Sequence, residues 1–411
     1  MERDYDVVLF GATGFTGKLV AEYLLNTYGS NGELRWAMAG RNLAKLEAVR
    51  QELQGSEGDI PLLTADSGDL SELAELAGQA RVICTTVGPY ALYGSGLVQA
   101  CAEQGTHYCD LTGEVHWMRE MISQHQQTAA ASGARIVHTC GFDSIPFDLG
   151  VLFLQEAMGE AHSVPARHIK CRVAGFSGAF SGGTVASMIN MMEEIDKDPG
   201  LQKLVDDPYI LNPPGALRGD DVNDQTGAIY DEDFKRWTLP FIMAAINTRV
   251  VRRSNALMNN AYGEDFRYDE ATLAPKGQGA LKSKLAAAAM MAGTGSIAFK
   301  PTRALVKRFL PSPGEGPGPK QREKGYFDIR LYGIHPHDRS KDMRARVTGD
   351  RDPGYGSTSK MLGEAAVCLA KDELTCGGGF WTPASAMGQT LIERLKTKAG
   401  LTFSVEKRGS E

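Results

Sequence analysis

The pattern of apolar and polar positions predicts that the chain opens with a strand followed at once by a helix. Residues Val7–Phe10 form an uninterrupted apolar run, typical of a parallel strand buried on both faces, and apolar residues recur at helical spacing from Leu19 to Leu25. Further apolar segments follow in ELRWAMAG, IPLLTAD, RVICTTV, THYC and ARIVHTC. We therefore expect an α/β fold, with a Rossmann-type, doubly wound parallel sheet in residues 1–150.

Three glycines join the first strand to the helix, in the sequence GATGFTG. In such a turn Gly11 permits a tight bend, Gly14 lets a pyrophosphate approach the backbone, and Gly17 lets the helix pack closely on the strand. The N–H groups of the first helical turn then face an anion. An ordinary strand-to-helix turn is the alternative, but the strand before and the helix after favour a dinucleotide site. We expect that site to comprise Gly11, Ala12, Thr13, Gly14, Phe15, Thr16 and Gly17.

The residue after the second predicted strand indicates which dinucleotide binds. An NAD site usually places Asp or Glu there, to bond the ribose 2′-hydroxyl. This chain has Arg41, whose guanidinium group can clamp the 2′-phosphate of NADP, and Asn42, which can add a hydrogen bond. The alternative is a solvated arginine that ends the strand. Asp66, after the third strand, is expected either beside the adenine or as the N-cap of the next helix.

Small and aromatic residues follow the fourth predicted strand, at the carboxyl edge of the sheet where ligands bind. We expect the backbone there to lie against the dinucleotide, at Thr86, Val87, Gly88 and Pro89. Tyr90 and Tyr93 come next. Either phenol could protonate a reacting carbonyl or enolate, or simply form a wall of the pocket.

Two later strands each end in a polar cluster. Asp110, Thr112 and Glu114 follow one of them, and we expect these side chains to grip the substrate, with Asp110 as a third catalytic candidate beside the two tyrosines. Asp143 and Ser144 follow the next strand and are candidates for the pocket, although capping of the helix that begins near Pro146 is the favoured explanation.

The pattern changes in the middle of the chain. From Val151 to about Asp352, alternating segments predict strands in HIKCRVAGFSG, TRVVRR and GYFDIRLYGIHP. We expect 151–352 to be a second, α+β domain for substrate or dimer contacts, with a mixed sheet covered by helices. Residues 353–411 contain two helices with an apolar face, one of them starting at Thr382–Pro383, and the parallel sheet offers them a surface to cover.

Charge is distributed unevenly along the chain. The net charge is −6, yet residues 249–308 hold eleven Lys and Arg against four acids. An acidic protein without a nucleic-acid-binding motif is not expected to bind DNA or RNA, whereas an acidic membrane surface or a phosphorylated substrate fits the basic segment.

Two groups of residues in this part of the chain are candidate anion sites. Arg249, Arg252 and Arg253 could hold a carboxylate or a phosphate, or form a solvated face or subunit contact. The small residues Ser181, Gly182, Gly183 and Thr184 could contact an anion or merely cap a helix.

One stretch combines apolar and basic character. Leu285–Phe299 has no charge over fifteen residues and lies within a segment, 282–310, that has basic residues on both flanks. It is too short to cross a membrane, but it could lie in a headgroup layer. The alternative is an Ala-rich core helix followed by a disordered Pro/Gly loop at Pro311–Pro319.

The remaining features predict a cytoplasmic protein. The charged start, MERDYD, runs directly into the first strand and leaves no room for a signal peptide. The seven cysteines show no paired spacing for a metal and are expected to be reduced, so no metal site is predicted.

Longer motifs carry a family resemblance. GATGFTGKL, TTVGPY, GTHY followed by DLTGE, GFDSIPFDLG, GYGSTSKMLGEAA and GGFWTPASAMG resemble the saccharopine dehydrogenase-like oxidoreductases, and most closely the trans-acting enoyl reductase subgroup. The resemblance implies a discontinuous Rossmann domain, into which the second domain is inserted and to which the C-terminal helices return. It also implies an oxidoreductase, for which Arg41 predicts NADP as the cofactor.

From this resemblance and the residues together, we expect reduction of an enoyl or other unsaturated acyl or lipid-type substrate by hydride transfer. We also expect a homodimer, with peripheral membrane contact through 282–310. A saccharopine-like amino-acid dehydrogenase would instead need cationic groups in the cleft. A non-enzymatic NADP-binding redox sensor or lipid-surface protein would bind NADPH without oxidising it.

Overall fold

The computed structural model describes residues 3–54, 59–178, 182–219, 221, 223–306 and 316–406. The first part of the chain alternates strands and helices: β1 (Tyr5–Phe10), α1 (Phe15–Tyr28), β2 (Trp36–Gly40), α2 (Leu43–Gln54), β3 (Leu62–Thr64), α3 (Leu70–Gln79), β4 (Ala80–Thr85), α4 (Tyr90–Tyr93), α5 (Ser95–Gln104), β5 (His107–Cys109), α6 (Val115–Ser132), β6 (Arg135–Val137) and α7 (Ile145–His162). These are the strands that the apolar runs predict.

The second part mixes longer strands with helices. Its elements are β7 (His168–Ser177), α8 (Gly182–Lys197), α9 (Gly200–Asp206), β8 (Ile229–Asp231), β9 (Arg236–Leu239), α10 (Ala244–Leu257), β10 (Arg267–Leu273), α11 (Ala280–Ala298), α12 (Lys300–Val306), α13 (Pro319–Glu323), β11 (Tyr326–Ile334) and β12 (Met343–Gly349). The last are α14 (Thr358–Lys371), β13 (Gly379–Trp381), α15 (Pro383–Ala386), α16 (Gly388–Lys398) and β14 (Leu401–Glu406), preceded by a single π-helical turn at Pro353–Ser357.

The strands form two seven-stranded sheets. The first has the order β13-β6-β5-β4-β1-β2-β3 and is parallel throughout. The second has the order β14-β12-β11-β7-β10-β9-β8 and is mixed, since β7 and β10 pair in parallel while the other neighbours are antiparallel. The predicted α/β class, with a Rossmann-type sheet and a second mixed-sheet domain, is confirmed.

The C-terminal segment contributes to both sheets. Strand β13 pairs with β6 at the edge of the parallel sheet, and α14 packs against α1, β1, β4 and β5. Strand β14 pairs instead with β12 at the edge of the mixed sheet. The segment after residue 353 therefore returns to the first sheet and then crosses back to the second.

One buried carboxyl group fastens α14 to the first sheet's outer helices. Glu364 accepts hydrogen bonds from the hydroxyls of Tyr23 (2.7 Å) and Tyr28 (2.6 Å) on α1. Its other oxygen accepts from Arg394 of α16 at 3.2 Å. Because Glu364 is fully buried, these bonds replace its hydration and tie three helices together.

Two expectations about the basic segment are wrong. TRVVRR lies in helix α10, not in a strand. Arg249, Arg252 and Arg253 form neither a solvated face nor a ligand site, because they are buried and paired within the chain. Arg249 pairs with Asp224 and Arg252 with Asp221, while Arg253 donates to the carbonyls of Leu211 and Phe380. These long-range partners, which a local pattern does not reveal, allow an arginine-rich helix to be buried.

Two expected helix caps also differ. Asp69, not Asp66, caps α3, by accepting from the N–H groups of Ser71 and Glu72. Ser144 occupies the N-cap position of α7 without a side-chain cap bond, although Pro146 lies in the first turn as predicted.

We expect Glu364→Ala to lower the free energy of unfolding by about 3 kcal/mol, because two half-buried hydroxyls and a guanidinium N–H lose their fully buried acceptor. Urea unfolding measures this change. Glu393→Ala is the matched control, since Glu393 is exposed and pairs with Lys396, and its effect is expected to stay within about 0.5 kcal/mol. Equal effects of the two substitutions would contradict the role assigned to Glu364.

Candidate active site

A cavity of about 590 Å³ lies between the domain that contains the parallel sheet and the domain that contains the mixed sheet. The first domain contributes the glycine turn, the residues after β4 and the turns after β5 and β6, which include Thr86, Glu114 and Asp143. The second domain contributes residues of α8, α10 and α11. The carboxyl edge of the parallel sheet therefore opens into a space closed by the second domain, where a ligand would be held away from water.

The glycine turn has the geometry that the sequence predicts at two of its three positions. Gly11 has φ +93°, and a Cβ there would lie 2.7 Å from the Val87 side chain. A Cβ on Gly17 would lie 2.1 Å from the carbonyl oxygen of Gly11. Both positions thus exclude other residues, and Gly17 allows α1 to approach the turn closely.

The third glycine leaves space rather than filling it. A Cβ on Gly14 would meet only the Gly11 carbonyl oxygen, at 3.4 Å. Gly14 is the N-cap of α1, has no side-chain cap bond, and is followed by a first turn without acidic residues. The N–H groups of that turn therefore remain for an anion, and Phe15, Thr16 and Gly17 line the cavity.

Aromatic contacts attach the glycine turn to the second domain. The ring of Phe15 packs edge-on against Tyr355, with centroids 4.6 Å apart, and the guanidinium group of Arg322 lies 5.5 Å from its centroid. The hydroxyl of Tyr355 accepts a hydrogen bond from the N–H of Gly182 at 3.1 Å. The turn is thus linked to the start of α8. Ser181 lies outside the described residues, as does the side chain of Thr184, so the anion contact expected there stays a prediction.

The residues expected to select the dinucleotide lie at the end of β2. Arg41 and Asn42 are both exposed. Asn42 accepts a hydrogen bond from the N–H of Lys45 at 3.0 Å, and Arg41 has no hydrogen bond or ion pair with any described residue. Asp66 is exposed and accepts from the N–H of Gly68 at 2.9 Å. An exposed guanidinium group without an internal partner fits a ligand phosphate.

Glu114 shapes the loop that follows β4. Its two carboxyl oxygens accept from the backbone N–H groups of Tyr90 and Ala91, both at 2.9 Å, at the start of the short helix α4. Ser187 of α8 donates to the same group at 2.7 Å. Glu114 therefore holds the Gly88–Pro89 turn in place and connects it to the second domain. Thr112 supports it, since its hydroxyl accepts from the N–H of Glu114.

The structure brings only one of the three expected catalytic residues to the cavity. Tyr90 lines it, but its hydroxyl donates to the Thr85 carbonyl and accepts from the Leu111 N–H, and burial raises the pKa of Tyr90 well above its ordinary value. Tyr93 is exposed on α4 and is not among the lining residues.

Asp110, the third, lies in the core and not at the cavity. It bonds His138 at 2.7 Å and Tyr108 at 2.9 Å, and it also accepts from the N–H groups of Thr112 and Thr139. A fully satisfied carboxyl group of this kind fixes the ends of β5 and β6 rather than reaching a substrate.

Asp143 is the acidic group that faces the cavity without a partner. It lines the wall, and none of its carboxyl oxygens bonds or pairs with a described residue. Burial raises the pKa of Asp143 to about 7, so a neutral carboxylic acid is well populated at physiological pH. The adjacent Ser144 is buried, and its hydroxyl also lacks a partner among the described residues.

Methionines form much of the opposite wall. Met188, Met191 and Met192 of α8 and Met290 and Met291 of α11 line the cavity. Flexible, polarizable thioether side chains adapt to apolar ligands of different shapes. Among the described lining residues there is no Lys, Arg or His, and of the three acids Glu114 is bonded as above and Asp224 is paired with Arg249.

Comparisons with known proteins agree with this geometry. Residues 7–137 match the family described as the saccharopine dehydrogenase NADP binding domain. A trans-acting enoyl reductase of Mycobacterium bovis is 38% identical over 408 residues, covering 96% of each chain. A protein of Mycobacterium tuberculosis, provisionally named a trans-acting enoyl reductase, is 42% identical over 424 residues, covering 99% of each chain.

The chain belongs to the saccharopine dehydrogenase-like oxidoreductases, in the trans-acting enoyl reductase subgroup. Its cofactor is NADP, in keeping with the match of the first domain. Saccharopine dehydrogenase from Saccharomyces cerevisiae has the same fold, with a TM-score of 0.52, 12% identity, and coverage of 98% of this chain and 99% of that one.

The described residues contain neither a metal site nor a membrane-spanning helix. No group of three or more His, Cys, Asp or Glu is arranged to bind a metal ion. No helix in the described ranges combines the length and apolar character needed to cross a bilayer.

We expect Arg41→Ala to weaken NADPH binding at least tenfold while leaving NADH binding within about twofold, since the lost guanidinium bonds concern only the 2′-phosphate. Titration of cofactor fluorescence with each nucleotide measures both constants. Arg50→Ala, on the helix α2 that follows Arg41, is the control for the general loss of one positive charge from this part of the protein. An unchanged NADPH to NADH ratio would remove Arg41 from the site.

Proposed function

We propose that this chain is an NADP-dependent reductase of enoyl groups on long acyl or lipid-type chains. The observation that carries the proposal is the cavity itself, which joins the glycine turn to a wall of apolar and methionine side chains. Relatives of nearly equal length that are named trans-acting enoyl reductases support the same reaction.

The absence of described cationic side chains from the cavity wall argues for this substrate class. An amino-acid dehydrogenase of the saccharopine type needs Lys or Arg to hold substrate carboxylates. The described lining offers no such cation, whereas a neutral acyl chain meets apolar surface.

The chain's own residues would bind, orient and protonate. The first turn of α1 and Arg41 would hold the phosphates, and Glu114 fixes the loop after β4 against the cavity. Bound NADPH supplies the hydride for the β-carbon of the enoyl group. The α-carbon must then receive a proton, and we assign its donation to Asp143, because this carboxyl group lines the cavity and has no described partner; its carboxylate would be reprotonated from solvent.

Peripheral membrane contact and homodimer formation, both expected from the sequence, stay predictions. An acyl substrate gives membrane contact a chemical reason, because long acyl chains partition into membranes.

We expect NADPH to be consumed with 2-enoyl thioesters, with kcat/KM rising as the acyl chain lengthens, because longer chains bury more apolar surface. Loss of NADPH absorbance measures the rate. A mixture of amino acids with 2-oxo acids is the comparison substrate. Consumption with that mixture alone would establish an amino-acid dehydrogenase, and tight NADPH binding without any consumption would establish a non-enzymatic binding protein.

Asp143→Asn is expected to lower kcat about a hundredfold without changing the Kd for NADPH, because it removes a proton donor. Since the protonated form is the active one, wild-type kcat should fall as pH rises through about 7, and the variant should lack that fall. The other titratable groups at the cavity are Tyr90, Glu114, Asp224 and Tyr355.

Tyr93→Phe is the matched control, because Tyr93 lies outside the cavity lining, and its kcat and pH profile are expected to equal those of the wild type. A wild-type pH profile retained in Asp143→Asn would show that another group donates the proton.

A further inference from the structure

Helix α11 is apolar on the side that faces the protein. Ser283 and Ala287 are its buried residues. Met290, Met291, Thr294 and Ile297 lie along the cavity wall, next to α8. This inner face thus belongs to the proposed substrate site.

The outer face of α11 is apolar as well. Leu281, Leu285, Ala288 and Ala292 are all exposed and follow one another at spacings of four, three and four residues, which places them on one side of the helix. Leu281 is 72% exposed and Leu285 62%. Phe299, the residue that ends the helix, is 62% exposed too. We call these five residues the outer stripe.

A helix that is apolar all round is normally buried on every side. The outer stripe is covered by no part of the chain that the structure describes, although α11 is 19 residues long and lies at the surface. Its exposed leucines and phenylalanine therefore indicate that an apolar partner lies against them.

The charged residues of helix α11 itself, and the first one after it, are all positive. Lys282 and Lys284 flank it in the first turns of the helix and Lys300 follows its end; all three are exposed and none forms an ion pair with a described residue. No acidic residue occurs in 280–298. Lysines at a helix N-terminus add to the positive end of the helix dipole, so an anionic partner would relieve a local repulsion.

Three arginines of this part of the chain are not available to a partner. Arg249 and Arg252 are buried in ion pairs, as described above, and Arg303 is buried against Asp196 of α8 at 2.8 Å. Among the described residues of 276–306, the exposed cations without an ion pair are Lys276, Lys282, Lys284 and Lys300, which precede or flank the outer stripe.

A second copy of the chain fits this surface poorly. In a two-fold contact the same patch meets itself, so the lysines at each end of one outer stripe would face lysines of the other. A bilayer containing anionic lipids meets both requirements at once, because its headgroups pair with lysine and its acyl region accepts leucine and phenylalanine.

The same helix also forms an edge of the cavity. Met290 and Met291 line the cavity and are still 40% and 41% exposed, so the cavity reaches the surface between α8 and α11. A chain leaving a bilayer on which the outer stripe rests would meet these methionines first.

We propose that the outer stripe and its flanking lysines dock the protein on an anionic lipid surface, and that acyl chains enter the cavity between α8 and α11. Docking stands independently of the reaction. The access route rests on the proposed function.

Vesicle flotation of the full chain tests docking. Wild-type protein is expected to float with vesicles of phosphatidylcholine and phosphatidylglycerol, to float at least tenfold less with phosphatidylcholine alone, and to be released by salt. Leu281→Ser with Leu285→Ser, and separately Lys282→Gln with Lys284→Gln, should each reduce the bound fraction at least tenfold.

Leu70→Ser is the matched control, since Leu70 is 55% exposed on α3 of the first domain, and its binding should equal the wild type's. Unchanged thermal unfolding and NADPH binding show that the variants are folded. If the leucine variant floated as well as the wild type, docking would be overturned. If light scattering showed instead that the variant had lost self-association while its vesicle binding was unchanged, the outer stripe would be assigned to a second copy of the chain.

Kinetics separate the access route from the reaction. With a long-chain enoyl substrate carried in anionic vesicles, the leucine variant should show a KM at least fivefold higher, and with a short soluble enoyl thioester an unchanged KM. Equal KM values for both substrates would overturn the access route. Inactivity of the wild type on the soluble thioester would instead refute the proposed function and leave the flotation result standing.

Discussion

The close approach of α1 to the glycine turn is the constraint on which the rest of the structure depends. With the Gly11 carbonyl only 2.1 Å from where a Cβ of residue 17 would lie, the helix starts directly above the carboxyl end of β1. That position aims its first N–H groups into the cavity. It also presents Tyr23 and Tyr28 to Glu364, through which α14 and α16 cover the sheet.

Charge is distributed in the way that a reductase of neutral chains requires. The groups suited to phosphate, the helix terminus and Arg41, lie at the turn and at the exposed end of β2. The cavity beyond them has acids, methionines and aliphatic side chains but no described cation. Of the acids among the described lining residues, only Asp143 has no hydrogen bond or ion pair with a described residue, and burial raises its pKa. The groups suited to phosphate and the unpaired carboxyl group are thus separated in space.

Much of the first domain could be predicted from the sequence because its signals are local. The apolar runs, the glycine spacing and the Thr382–Pro383 helix start each depend on neighbours in the chain, and the parallel sheet and the capping box at Thr382 match them. Alternating segments predicted the mixed second sheet, Arg41 predicted NADP, and the family motifs predicted that the C-terminal helices return to the first domain.

The rest depended on contacts between distant residues. Helix α10 was mistaken for a strand because Asp221 and Asp224, which allow its arginines to be buried, are more than twenty residues away in sequence. The position of Asp110 after a strand predicts a pocket residue, but its side chain lies in the core, where it forms hydrogen bonds with His138 and Tyr108. The methionine wall was missed although MINMM and AMM are visible in the sequence, since only the fold brings α8 and α11 to one cavity.

A crystal structure with NADPH and a long-chain enoyl thioester tests the central claim most directly. The account predicts the pyrophosphate against the first turn of α1, the 2′-phosphate at Arg41, and the acyl chain running past Asp143 toward the methionines of α8 and α11. Phosphates bound elsewhere, or an acyl chain outside this cavity, would contradict it.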